Sequence, residues 1–216
     1  MLIRARCTNT MPCYAPRGVA RRAFTMAEIL AAVAIVAIMG AVVIPAMMTK
    51  IRSASTAALA QTLFALSQGV FQYRRAVTVY PPGLNYLASG PTTSTTDACG
   101  TTGIGSNANS WRGPYITREV PTAGVQIGDA LIENSLRRVT GAGSTVYLLI
   151  DVAGVERKVA TDLESEFDTG AADSTSGTIR WTSSSISYTA GSIVSNIPAA
   201  SPGTVNLSFA MPISGC

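Results

Sequence analysis

Hydrophobic and polar positions divide this chain into stretches with different periods. From Ile29 to Met48, twenty consecutive residues carry no charge and are mostly apolar. At about 1.5 Å per helical residue they match the roughly 30 Å hydrocarbon core of a bilayer, so the stretch predicts a membrane-crossing helix. Farther along, Leu59, Leu63, Leu66, Val70, Tyr73 and Val77 recur at intervals of 4, 3, 4, 3 and 4, which is one apolar stripe on a helix. Ser53, Ser55, Gln61, Gln72, Arg74 and Arg75 lie off that stripe. Pro81-Pro82-Gly83 ends any helix, because proline removes a backbone donor and clashes with the preceding turn. The pattern therefore predicts a helix from Phe24 to about Val79. Its stripe is too short for a sustained coiled coil and is expected to pack on the chain's own downstream part.

After Pro82 the texture changes to Gly, Ser, Thr and short apolar runs. Residues 88–110 are rich in turn formers and predict a loop. Val146–Ile150, Thr178–Trp181, Ser185–Thr189 and Val205–Phe209 have the β-branched and aromatic content of short strands, and their spacing suggests an antiparallel sheet. Val155–Phe167, with Val155, Val159 and Leu163 four apart, reads as a short helix. The expected class is α+β: a long N-terminal helix, first transmembrane and then amphipathic, packed on a small antiparallel β-sheet head.

Charge sharpens the reading of the N-terminus. A single acid, Glu28, stands immediately before the apolar run, and a leader with Arg4, Arg6, Arg17, Arg21 and Arg22 and no acid precedes it. A secretory signal peptide would carry a small-residue cleavage site on the far side of its apolar run. An ionised carboxylate at a membrane helix costs about 2.5 to 3.5 kcal/mol on insertion scales, so Glu28 needs a partner. The bland alternative is an ordinary signal anchor with a stray glutamate, which the basic flank, the apolar run and Pro45 would also fit.

Arg17, Arg21 and Arg22 followed by Ala23-Phe24-Thr25-Met26-Ala27-Glu28 resembles the prepilin processing site of type IV pilins and type II secretion pseudopilins. The resemblance implies cleavage between Ala23 and Phe24 by a prepilin peptidase, methylation of the new N-terminus at Phe24, and a glutamate at the fifth mature position, which Glu28 occupies. Pro45 then falls twenty-second, where the family commonly has a helix-loosening proline. Ala23 stands where the family usually has glycine, and slower cleavage is expected. The long leader looks more like the type IVb branch. Trp111-Arg112-Gly113-Pro114-Tyr115 also looks like a turn of pilin heads. On this resemblance the chain divides into a basic leader (1–23), the transmembrane and assembly half of the helix (24–49), its amphipathic half (50–80) and a globular head (81–216), a pilin fold.

Removal of the leader takes five of the sixteen basic side chains and leaves eleven against twelve acids, so the net charge of +4 implies no nucleic-acid partner. Topology is expected to be N-terminus cytoplasmic, with the head on the periplasmic side of the inner membrane. Cys7 and Cys13 leave with the leader, and Cys99 and Cys216 remain. The exported compartment and the habit of pilins to tie down their C-terminal segment imply a bridge between them; two free thiols or a bridge to another chain stay open. The chain has no histidine, which removes Ser-His-Asp and Cys-His catalysis and histidine metal ligation. Gly100-Thr-Thr-Gly103-Ile-Gly105 lacks the lysine and the strand-to-helix setting of a phosphate loop. Asp162, Glu164, Glu166, Asp168 and Asp173 read as a solvated face and loop, with calcium coordination as in some pseudopilins the alternative. No residue is singled out as catalytic, no cofactor is expected, and the chain is not read as an enzyme.

The resemblance then implies a structural subunit of a type IV pilus or a type II secretion pseudopilus. Its partners would be the prepilin peptidase, an inner-membrane assembly platform, and identical or related subunits whose Phe24 amine meets Glu28 of a neighbour. Gly40 and Pro45 would let the helix bend during extraction from the membrane. Two other readings share much of this sequence: a minor pilin with an adhesive or priming head, and a membrane-anchored extracytoplasmic enzyme or binding protein that uses the helix only as a tether.

Overall fold

The computed structural model describes residues 24–168, 175–191 and 193–216. The chain divides into two compact units at Met47–Met48. Helix α1, Met26–Val77, runs through the division. In the first unit every described residue except Gly40 is exposed, and the apolar window is nowhere buried. By length and composition α1 alone among the described helices can cross a membrane, with a mean hydropathy of 2.7 over an 18-residue stretch.

In the second unit the expected stripe is the buried one. Leu59, Leu63, Leu66, Val70, Tyr73 and Val77 are all between 0 and 4 % exposed and join one core. The helix ends at Val77, two residues before the expected limit. Thr78 takes a left-handed conformation (φ 70°), and the Arg74 guanidinium donates to its carbonyl. Such a residue just beyond the last turn is a common way to stop a helix.

The rest is an α+β head. After α2 (Tyr86–Ser89) and a 3-10 turn at Gly105–Ser110 come strands β1 (Val125–Ile127), β2 (Ala130–Thr140) and β3 (Val146–Glu156). Helix α3 (Arg157–Phe167), β4 (Ile179–Thr182), β5 (Ile186–Ala190), β6 (Ile193–Ile197) and β7 (Thr204–Ile213) follow. Five strands form an antiparallel sheet in the order β1-β2-β3-β7-β4, and β5 and β6 form a separate hairpin. The expected α+β class and antiparallel sheet are present. Strands β1, β2 and β6 were not expected from the sequence, and β3 extends through Glu156, so α3 starts at Arg157 rather than at Val155.

Alternation along each strand sends its residues to two different layers. Leu148, Ile150 and Val152 of β3 and Leu207, Phe209 and Met211 of β7 share the core with the α1 stripe and with Val159 and Leu163 of α3. Asp151 and Ser208, directly opposite each other, take the other face together with Leu149. Tight approach holds the turn after the 3-10 segment against α1: a Cβ at Gly69 would lie 2.9 Å from Ile116 and 3.2 Å from Leu87. Tyr115 then packs edge-on against both Tyr73 and Trp111.

Candidate functional site

The N-terminal segment is built by a cap. Thr25 precedes the first helical residue, and the Glu28 backbone N–H donates to Thr25 Oγ1 at 3.2 Å and to the Thr25 carbonyl at 3.1 Å. Thr-x-x-Glu across a helix start is the capping-box pattern, in which a hydroxyl satisfies one of the orphan donors of the first turn. Glu28 lies in that first turn, where the positive end of the helix dipole favours a carboxylate. The cap became recognisable only with the helix start at Met26. Phe24 is exposed just ahead of Thr25. Ala23, the other half of the expected processing site, lies outside the described residues.

Downstream, Pro45 sits inside α1 and has no N–H to donate to the carbonyl one turn back. A Cβ at Gly40 would meet nothing within 4 Å, so no contact among the described residues explains a glycine there. Both features weaken the helix within the apolar run.

In the head, Cys99 and Cys216 are bonded to each other, with Cα atoms 5.3 Å apart. The bridge closes a separation of 117 residues, which the chain-entropy treatment values at about 4 to 5 kcal/mol as an upper guide. Next to it, Asp97 is 3 % exposed, and its Oδ1 accepts from the Cys99 and Thr101 amides at 3.0 and 2.7 Å. That carboxylate shapes the loop that carries Cys99.

The acids near α3 do other work. The Asp168 carboxylate accepts from the amides of Thr178 and Ile179 at 2.8 to 2.9 Å, which ties the start of β4 to the end of α3. A Cβ at Gly177 would lie 2.6 Å from that carboxylate, and Gly177 adopts φ +80°, so glycine is needed there on both counts. Glu164 is 4 % exposed and accepts from Trp181 Nε1 at 3.3 Å. Asp162 stands 3.9 Å from Lys158. Asp173 lies outside the described residues. Among the described residues no three acids, cysteines or histidines converge as a metal site would need.

The most constrained polar cluster was not foreseen. Arg137 donates through Nε and Nη2 to Asp151 at 2.8 Å each, and Nη2 reaches Ser208 Oγ at 3.0 Å. Ser208 donates to Asp151 Oδ1 in turn. Asp151 is fully buried, so three adjacent strands are joined at one carboxylate. Burial alone would lower the pKa of the Arg137 guanidinium, but its hydrogen bonds to Asp151 and that residue's charge outweigh burial and raise it. A bulge in β2 sets Glu133, Asn134 and Ser135 against Asp151, and each bulge residue reaches outward. Asn134 Oδ1 accepts from the Asn85 amide at 2.8 Å, Ser135 Oγ meets Tyr188 Oη at 2.8 Å, and Glu133 accepts from Ser195 at 3.2 Å. The hairpin is thereby fastened over the polar face. Arg137 also lies over the Tyr188 ring, 5.5 Å from its centroid. This cluster lies under the hairpin with only Asp151 fully withdrawn from solvent, and it acts on the head's integrity. Compared with protein-family models, with curated proteins and with solved structures, the chain matches none of them.

Proposed function

We propose that the chain is a prepilin: it is cleaved before Phe24, methylated there, and assembled through its N-terminal helix as a structural subunit of a type IV pilus or type II secretion pseudopilus. One observation carries most of this reading. A single helix presents apolar side chains all round in its first half, with one carboxylate in its first turn, and buries one apolar stripe on an antiparallel sheet in its second half. A helix apolar all round suits a membrane or a bundle of like helices. A carboxylate at its end suits pairing with a free amine drawn alongside it. Mass spectrometry of membrane-extracted protein tests the processing: methylated Phe24 at the N-terminus is expected, and an intact leader or a cut beyond Met48 overturns the reading.

The tether reading has an observation of its own: Glu28 stands in the first turn of α1, where the helix dipole gives a carboxylate a use in any helix. Glu28→Gln separates the two. Glutamine retains capping-box capacity but cannot pair as an anion with a neighbour's amine. A filament subunit should lose assembly while its membrane level and cleavage stay near wild type, as read from protein in sheared filaments against protein in membranes. Equal incorporation would mean that assembly does not use the Glu28 charge, and absence of both proteins from filaments would leave the helix as an anchor and nothing more.

A further inference from the structure

The second half of α1 has three faces, of which the head uses one. At about 100° per residue, the buried stripe, a line through Ala58, Thr62 and Ala65, and a line through Phe64 and Phe71 lie roughly 120° apart. Phe64 and Phe71 are 55 and 39 % exposed, two aromatic rings standing out from the helix seven residues apart. The small-residue line forms one wall of a groove of about 550 Å³ whose other wall includes Ile116, Val120 and Val125. Thr62 spends its hydroxyl on the Ala58 carbonyl of its own helix at 2.8 Å, so it offers the groove no unsatisfied donor.

We infer that this groove receives Phe64 and Phe71 from a second copy of the chain. The inference rests on the subunit reading above and adds to it the contact by which heads and helices would interlock. Periodicity favours a second copy over an unrelated partner. The projecting rings are seven residues apart, about 10.5 Å along the axis, and Ala58 and Ala65 repeat at the same pitch. A parallel copy of the same helix therefore matches ring to recess twice. Gln61 and Gln68 lie between the two faces and supply the polar margin that such contacts have. Because ring and recess occupy different faces, each copy offers one and accepts one. Such a contact is heterologous and propagates as an open array unless its rotation closes it.

The test uses two full-length chains, one carrying Phe71→Cys and the other Ala65→Cys, co-expressed in a host that supplies the assembly machinery and then oxidised. Cys99 and Cys216 are already bonded to each other, and Cys7→Ser and Cys13→Ser in both chains remove the other two cysteines. The mixed disulfide is expected to exceed that of a Phe71→Cys and Ser89→Cys pair by about tenfold, and Phe64→Ala with Phe71→Ala should cut filament incorporation about as much, since aromatic anchors dominate such contacts. Membrane level and head melting temperature should not change. No enrichment over the Ser89→Cys pair overturns the inference, and filaments formed at wild-type level without it leave the subunit reading standing. Cross-links in membranes with no filaments uphold the contact and overturn the filament reading. Absence of both overturns both.

Discussion

The two faces of the five-stranded sheet solve the same problem with different chemistry. Toward α1 the sheet presents Leu148, Ile150, Val152, Leu207 and Phe209 to a helix stripe that is almost completely buried. Toward the β5–β6 hairpin it presents Asp151, Ser208, Asn206 and Arg137, and the cover is fastened by hydrogen bonds. The first face tolerates a range of apolar residues of about the right volume, because area removed from water does not depend on direction. The second specifies one arrangement, because each buried polar atom needs its partner in place. Asn206 makes the point: its Nδ2 donates to the carbonyls of Ser184 and Pro198, one before β5 and one after β6, so it grips both ends of the hairpin. The difference suits an α1 that must hold its head firmly while the outer surface keeps a defined shape.

The polar face is the place to break the head most easily. Arg137→Ala leaves Asp151 charged and fully buried with its main partner gone, which is expected to cost about 3 to 5 kcal/mol. Denaturant unfolding of the full chain in detergent measures it. The sharper form of the test replaces the whole cluster: Arg137→Met, Asp151→Leu and Ser208→Ala together should recover most of that loss, because the desolvation cost goes with the charges. If the triple variant is no better than Arg137→Ala, the cluster stabilises more than it costs, and the two faces differ less in how they hold the head.

On the apolar face, Leu63→Ala removes a side chain with no exposure at the centre of the stripe and should cost about 2 to 5 kcal/mol, depending on how far the core collapses. The same truncation at Val36, 68 % exposed in the first unit, should leave head unfolding unchanged. Reduction of Cys99–Cys216 comes next, at about 2 to 5 kcal/mol. Parallel melting curves with and without reductant read it directly, and identical curves would mean that packing alone holds β7 in place.

The two faces were also unequally legible in the sequence. The helix stripe could be read because a 3.6-residue period needs only the positions of apolar residues, and all six stripe residues proved buried. Strands rich in β-branched residues, such as Val146–Ile150 and Val205–Phe209, could be read for the same kind of reason and were underestimated in length. Strand β2 escaped because its buried stretch includes Asn134 and Ser135, flanked by Glu133 and Arg137, and a bulge breaks its alternation there. β1 is three residues long and β6 carries Ser195 and Asn196, so neither offers a run to detect. Polar residues that find partners far along the chain leave no periodic trace. In the N-terminal segment the apolar run and Glu28 were legible, whereas the capping role of Thr25 took the helix start to recognise.

The smallest expected effect separates the faces by pH. Burial raises the pKa of the Glu133 carboxyl above its ordinary value of 4.5; the hydrogen bond from Ser195 opposes this, and the nearby charge of Asp151 adds to it. The folded head therefore holds a proton on Glu133 more tightly than the unfolded chain does. Stability from this group is fully present below about pH 4.5 and is lost as pH rises through the folded value, which is the opposite of the usual salt-bridged carboxylate. Glu133→Gln keeps an acceptor for Ser195 and removes the titration. Its unfolding midpoint should equal or slightly exceed that of wild type at pH 7 and converge with it near pH 4.5, so the difference between the two curves isolates this one residue from the other carboxylates. A glutamine variant less stable than wild type at pH 7 would mean that the Glu133 charge is used by the hairpin clasp. The polar face would then depend on charge at two positions rather than at the Arg137–Asp151 pair alone.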